Sequence, residues 1–180
     1  MNKIEINKYA NDYSRKVASW VVDNLYSDFT LTTKFDWSNK RVASRGGMYA
    51  KGPGINIAMV HAYPNNKGEV YRFHEYKSYD SNSVIGGFYA KDPTLKLESL
   101  LLHEISHAIQ FFSYKKTGIR CKPHGPVFKH YYQMLRVEFL NYKLPEQAPL
   151  KKDYEEYINK LNRGVEHVLE NLLTRAASSK

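Results

Sequence analysis

Leu102-His103-Glu104-Ile105-Ser106-His107-Ala108 lies inside a longer stretch, Leu95 to Phe112, in which Leu97, Leu100, Leu101, Ala108 and Phe111 recur at helical spacing. In a helix, residues four apart stack on one face, so His103 and His107 project together, within reach of a single ion. Glu104, one position on, leans over the same ion without ligating it and is placed to hold a water as general base. Two histidines and a neighbouring carboxylate on one helix are the parts of a zinc hydrolase. With seven histidines in 180 residues, composition alone gives the pattern in roughly 0.02 of such chains. Coincidence is the poorer explanation.

A tetrahedral catalytic zinc takes three protein ligands and keeps a fourth position open. The extended motif with glycine three and histidine six residues after His107 fails, because Gln110 and Ser113 stand there. His124 is the first choice for the third ligand, at the mouth of a helix after a loop long enough to fold back over the first two. His130 comes second, and would more readily sit on the helix surface or behind a ligand. Glu138, further along that helix, is a third option. His61, His74 and His167 read as solvated or core histidines. The single cysteine, Cys121, forms neither an internal disulfide nor a zinc ribbon, so a metal falls to histidine.

Near the N-terminus, Lys8 to Tyr26 carries Tyr9, Tyr13, Val17, Trp20, Val21 and Leu25 at helical spacing and reads as an amphipathic opening helix. Leu31 to Trp37 alternates, and Met48 to Val60 surrounds Lys51-Gly52-Pro53-Gly54. Together they read as strands joined by a turn, with a hairpin as the product. The aromatic run Tyr71 to Tyr76 and the strand-like Val84 to Ala90 follow, and Lys91 to Thr94 breaks the chain before the histidine helix. A loop with Lys115, Lys116, Arg120 and Lys122 comes after Tyr114. Pro126 then opens a helix with Val127, Phe128, Tyr131, Leu135 and Phe139 on one side. Pro145 to Pro149 breaks the chain again, and about Lys151 to Arg175 forms a last amphipathic helix. The expected division is one domain over 1–149, with the helix and polar tail of 150–180 packed on it or appended.

Leu102-His103-Glu104-Ile105-Ser106-His107-Ala108, followed by His124-Gly125-Pro126-Val127-Phe128-Lys129, resembles the SprT-like family of zinc metalloproteases, which includes the Spartan proteases. Ser44 to Tyr49 and Gly54 to Ala58 are similar to the glycine-containing hairpin that precedes the catalytic helix there. The resemblance runs in order over about residues 10 to 140. It implies that His103, His107 and His124 bind one catalytic Zn2+ and that Glu104 is the catalytic base. It further implies an α+β, zincin-like metalloprotease domain with an N-terminal helix, a small antiparallel sheet beside the active-site helix, a third-ligand helix and here a C-terminal helix. The family's best-known activity is proteolysis of proteins bound or crosslinked to DNA. Many members carry a further zinc ribbon or DNA-binding module, for which this chain has neither cysteines nor length.

The 27 Lys plus Arg against 18 Asp plus Glu give +9 with histidine neutral, which favours polyanionic partners, DNA first. Lys115, Lys116, Arg120, Lys122 and Lys129 surround the third-ligand loop as candidate phosphate contacts, or as a solvated basic loop. Tyr71, Phe73, Tyr76 and Tyr79 serve packing more readily than base stacking. The Gly86-Gly87 stretch offers either an edge for an extended peptide or a bulge. Cys121 reads as an unreactive loop thiol. Tyr49, Tyr89, Arg120 and His130 are the candidate transition-state donors. Signal peptide and membrane span are both missing from the pattern, so an intracellular protein, cytoplasmic or DNA-associated, is expected. Three functions fit: an endopeptidase for DNA-bound proteins, a general intracellular metallopeptidase, or a DNA-binding module with structural or inactive zinc.

Overall fold

A reciprocal cap starts the first helix, α1 (Lys3–Leu25): Asn2 Oδ1 accepts from the Glu5 amide at 3.0 Å, and Glu5 Oε2 accepts from the Asn2 amide at 2.8 Å. This cap adds more than a turn ahead of the expected start at Lys8. The buried stripe is Ile6, Ala10, Ser14, Val17, Ala18 and Val21, and Tyr9 is exposed. The computed structural model describes residues 2–28, 30–38, 40, 43–63, 71–73, 88–90 and 93–143. The expected helix over 151–175, with His167, lies outside them, as do His74, Tyr76, Tyr79 and Gly86-Gly87. Only the backbone of Tyr71, Phe73 and Tyr89 is described.

Strands β1 (Thr32–Asp36), β2 (Arg45–Tyr49) and β3 (Gly52–Ala58) form a sheet in the order β1-β3-β2. The hairpin joins β2 to β3 across Ala50 and Lys51, with Gly52 at φ +115° and Tyr49 opposite Gly52. Pro53 and Gly54 belong to β3 rather than to the turn. The expectation of a purely antiparallel sheet is corrected here, because β1 pairs parallel with β3, Phe35 lying opposite Ile57. The tight turn fixes β2 antiparallel to β3, so a third strand is free to take β3's other edge in either sense. The chain from β1 crosses past β3 to lay down β2 first. The one-turn α2 (Met59–Ala62) follows β3, and β4 (Tyr71–Phe73) pairs antiparallel with β5 (Phe88–Ala90).

The centre of the molecule is α3 (Pro93–Thr117), which touches α1, β2, β3 and α4 (Pro126–Lys143). Leu97, Leu101, Leu102, Ile105, Ala108 and Ile109 are buried, and so are Glu98, Ser99, Glu104, Ser106, His107 and Gln110. A helix buried almost all round must satisfy such polar groups internally. Glu98 Oε2 accepts from Tyr13 Oη at 2.7 Å, tying α1 to α3, and Ser106 Oγ donates to the Leu102 carbonyl at 2.7 Å. The helix runs to Thr117, so Lys115 and Lys116 occupy its last turn and not the loop expected after Tyr114. Gly118 stops it at φ +72°, its amide donating to the Tyr114 carbonyl at 2.8 Å. On α4 the deep side chains are Phe128, Tyr132, Leu135 and Phe139; Tyr131 is only partly buried. The fold is α+β. Among the described residues, no helix is long and apolar enough to cross a membrane.

Strand β2 lies so close on α3 that a Cβ on Gly46 would stand 1.7 Å from the Glu104 carbonyl oxygen. Gly47 is less constrained, its Cβ position meeting Phe111 Cδ2 at an ordinary 3.7 Å. Gly46→Ala is therefore expected to cost about 1–3 kcal/mol or more, the range for forced overpacking, and Gly47→Ala clearly less. Denaturant midpoints of the two variants check this, and equal midpoints would contradict the close approach.

Candidate metal centre

Helical spacing puts His103 and His107 on one face of α3, and the chain returns so that His124 meets both. His124 Nε2 lies 3.1 Å from His103 Nε2 and 2.8 Å from His107 Nε2. His103 is half-buried, His107 buried and His124 exposed. Three neutral imidazoles meeting at Nε2 cannot all be satisfied by protons they share, whereas one cation at the meeting point takes all three lone pairs. Zinc–nitrogen bonds of 2.0–2.1 Å in a tetrahedron separate the nitrogens by about 3.3 Å, close to what is seen. The residues are thus positioned to hold a metal ion. Among the described residues, this is the group of three or more potential ligands close enough to do so.

Presenting His124 takes a specific loop. Its φ is 57°, the left-handed region that a non-glycine residue rarely enters, though histidine does so more readily than most. The loop is held at the Lys122 carbonyl, which accepts from the Gly125 amide at 3.0 Å and from Gln110 Nε2 at 3.1 Å. Pro126 then opens α4, and the Lys129 amide closes its first turn on the Gly125 carbonyl at 3.0 Å. Strain of this kind, about 1–3 kcal/mol, persists only where neighbours hold it.

Phe128 packs against all three histidines, with ring centroids 4.9, 4.2 and 4.9 Å from those of His103, His107 and His124. It is fully buried and walls the cluster off from the core. Tyr132 adds a second ring 5.4 Å from His103. Burial, with His103 and His124 adding to it, pushes the His107 pKa down from 6.5 to about 3, so at neutral pH its lone pair is available. Glu104 is also buried, 6% exposed, beside His103 on α3.

The other candidates stand apart from this cluster. His130 is partly buried on α4, its pKa lowered by burial, and Glu138 is exposed on the same helix. His61 is exposed at the end of α2. Tyr49 is exposed and donates to the Arg45 carbonyl at 3.2 Å. Burial raises the Cys121 thiol pKa, as suits an unreactive thiol. Lys115, Arg120 and Lys122 are exposed, while Lys129 is half-buried. Lys116 is exposed but engaged, bridging to Asp28 and lying 4.5 Å from the Phe112 ring centre. A cavity of about 330 Å³, lined by Gln110, Phe111, Tyr114, Arg120, Cys121 and Pro123, opens between the end of α3 and the His124 loop. Sequence reasoning named Gly46 and Phe128 only within the family-like strings and gave Gln110 no role, and so missed how they shape the centre: Gly46 packs on Glu104, Phe128 backs the histidines, and Gln110 on α3 holds the His124 loop. The i+4 spacing from His124 to Phe128 is the one usable signal among them.

A histidine whose folded-state pKa is depressed binds fewer protons in the native than in the unfolded chain. The His107 contribution is fully present above pH 6.5 and is lost as pH falls from there toward about 3. Chelator-treated protein should therefore melt at progressively lower temperature over that window, and the dependence should be weaker in His107→Gln. An identical pH profile in the variant would contradict the assignment.

No curated protein and no solved structure matches the chain. The family model of the SprT-like family matches residues 15–149, a span that holds the second half of α1, the sheet, both histidine motifs and all of α4. The chain belongs to the SprT-like family.

Proposed function

We propose that the protein is a zinc-dependent endopeptidase of the zincin-like kind, working inside the cell on proteins bound or crosslinked to DNA. The observation that carries this is the meeting of three histidine Nε2 atoms, two from the helix that bears Glu104 and one from the following loop. Family membership supports a metallopeptidase-like activity. His103, His107 and His124 would hold the zinc through Nε2. So held, with its fourth position open, zinc supplies Lewis acidity, activating water near neutral pH and polarising the scissile carbonyl.

The chain's own residues do the rest. The Glu104 carboxylate takes the proton of the attacking water as its oxygen bonds to the carbonyl carbon, and delivers it to the departing amine nitrogen as the C–N bond breaks. Close packing of Gly46 on the Glu104 carbonyl fixes the backbone from which that carboxylate projects. The cavity beside the His124 loop, walled by Phe111, Tyr114 and Pro123, suits an apolar substrate side chain.

Lys115, Arg120 and Lys122 are the cations left to meet DNA phosphates next to the site. Such contacts are nonspecific and weaken with salt. Diversion of Lys116 to Asp28 and Phe112 thins this surface, and favours as second reading a general metallopeptidase without DNA dependence.

Cleavage of a DNA-bound protein by zinc-loaded enzyme, with and without added DNA, tests both. Glu104→Gln should lose about 10²–10⁴-fold in rate and still bind one zinc. DNA should stimulate the wild type, less so as salt rises. Wild-type turnover in Glu104→Gln would refute the base, and turnover indifferent to DNA would select the second reading.

A further inference from the structure

Gln110 is 2% exposed, one turn beyond His107 on α3. Its amide faces two ways. Nε2 donates to the Lys122 carbonyl at 3.1 Å, in the loop that carries His124. Oε1 is buried with no hydrogen bond of ordinary geometry, and so is Nδ1 of His107. Residues three apart on a helix are neighbours, and His107 and Gln110 are both buried on α3. Two buried polar atoms of complementary kind, left over on adjacent side chains, are each other's natural partner, because leaving either alone costs about 1–3 kcal/mol.

The chemistry of a histidine ligand gives that pairing a purpose. With Nε2 turned to the metal, the single proton of the neutral ring must sit on Nδ1, and a hydrogen bond from Nδ1 fixes both tautomer and ring orientation. We propose that Gln110 is the positioning residue of the metal centre, its Oε1 accepting from His107 Nδ1 and its Nε2 holding the His124 loop through the Lys122 carbonyl. One amide thereby ties a ligand on the helix to the ligand brought by the loop. This rests on the metal-binding reading of the three histidines.

The two halves separate in two variants. Gln110→Met keeps length and packing but loses both donor and acceptor. Gln110→Glu keeps an acceptor for His107 Nδ1–H and loses only the donor to Lys122. Zinc affinity is read by competition with a chelating dye, and site geometry from the visible spectrum of the cobalt-loaded protein. Gln110→Met should bind zinc about 10–100-fold more weakly, the usual effect of losing a partner behind a ligand, with an altered cobalt spectrum. Gln110→Glu should recover most of that loss. Ser113→Ala, which removes a 3.3 Å contact between α3 and Tyr131 away from the ligands, should change neither. In zinc-loaded wild type, long-range 15N NMR should find the His107 proton on Nδ1, a readout independent of whether any variant folds.

Wild-type affinity and spectrum in Gln110→Met, or no recovery in Gln110→Glu, would each overturn this role while leaving the metal centre standing. A His107 proton on Nε2 would overturn the role together with zinc ligation through that nitrogen. Wild-type protein that takes up no metal would overturn both together.

Discussion

Three ring nitrogens must meet at one point, and the polypeptide can bring only two of them there by local structure. The helical period aligns His103 and His107 at no further cost. His124 has to arrive from a separate loop, at 3.1 and 2.8 Å from the first two. Much of the surrounding architecture answers to that closure. Gly118 ends α3 so that the chain can turn, the Lys122 carbonyl gathers two donors, His124 takes a left-handed backbone, and Pro126 launches α4 immediately after. Phe128, one turn into α4, then covers the apolar side of all three imidazoles.

The helix that carries two of the ligands is correspondingly buried along its middle, from Leu97 to Gln110. Its polar residues are not tolerated defects but the means by which its neighbours are joined to it: Glu98 to α1 through Tyr13, and Gln110 to the His124 loop. On the sheet side, the absence of a side chain at Gly46 lets β2 come down on the backbone of Glu104. Rigid support from several elements is what a preorganised site requires, since small misplacements of a base or ligand are costly to catalysis.

How far the sequence discloses this differs by element, for physical reasons. The histidine helix and the pairing of His103 with His107 follow from a period that sequence displays directly. His124 was legible because Pro126 marks a helix start at a suitable distance, and because the string through Phe128 resembles a family pattern. The α+β class was what the family resemblance implied, and the helical and alternating stretches agree with it. Parallel pairing of β1 with β3 was not legible, because edge choice is made by tertiary packing and leaves no local mark. The start of α1 lay hidden in a capping box at Asn2 and Glu5, outside the apolar pattern. The engagement of Lys116 by Asp28, 88 positions away, likewise leaves no trace in the local charge run. The same holds for Gly46 and Gln110, whose roles depend on one backbone carbonyl each.

The metal geometry is what the site and its chemistry depend on. Zinc-edge X-ray absorption on the protein loaded with one equivalent of zinc should find three imidazole nitrogens at about 2.0–2.1 Å and one further light atom. A sulfur neighbour near 2.3 Å, which would have to come from Cys121, or fewer than three imidazoles, would contradict the account.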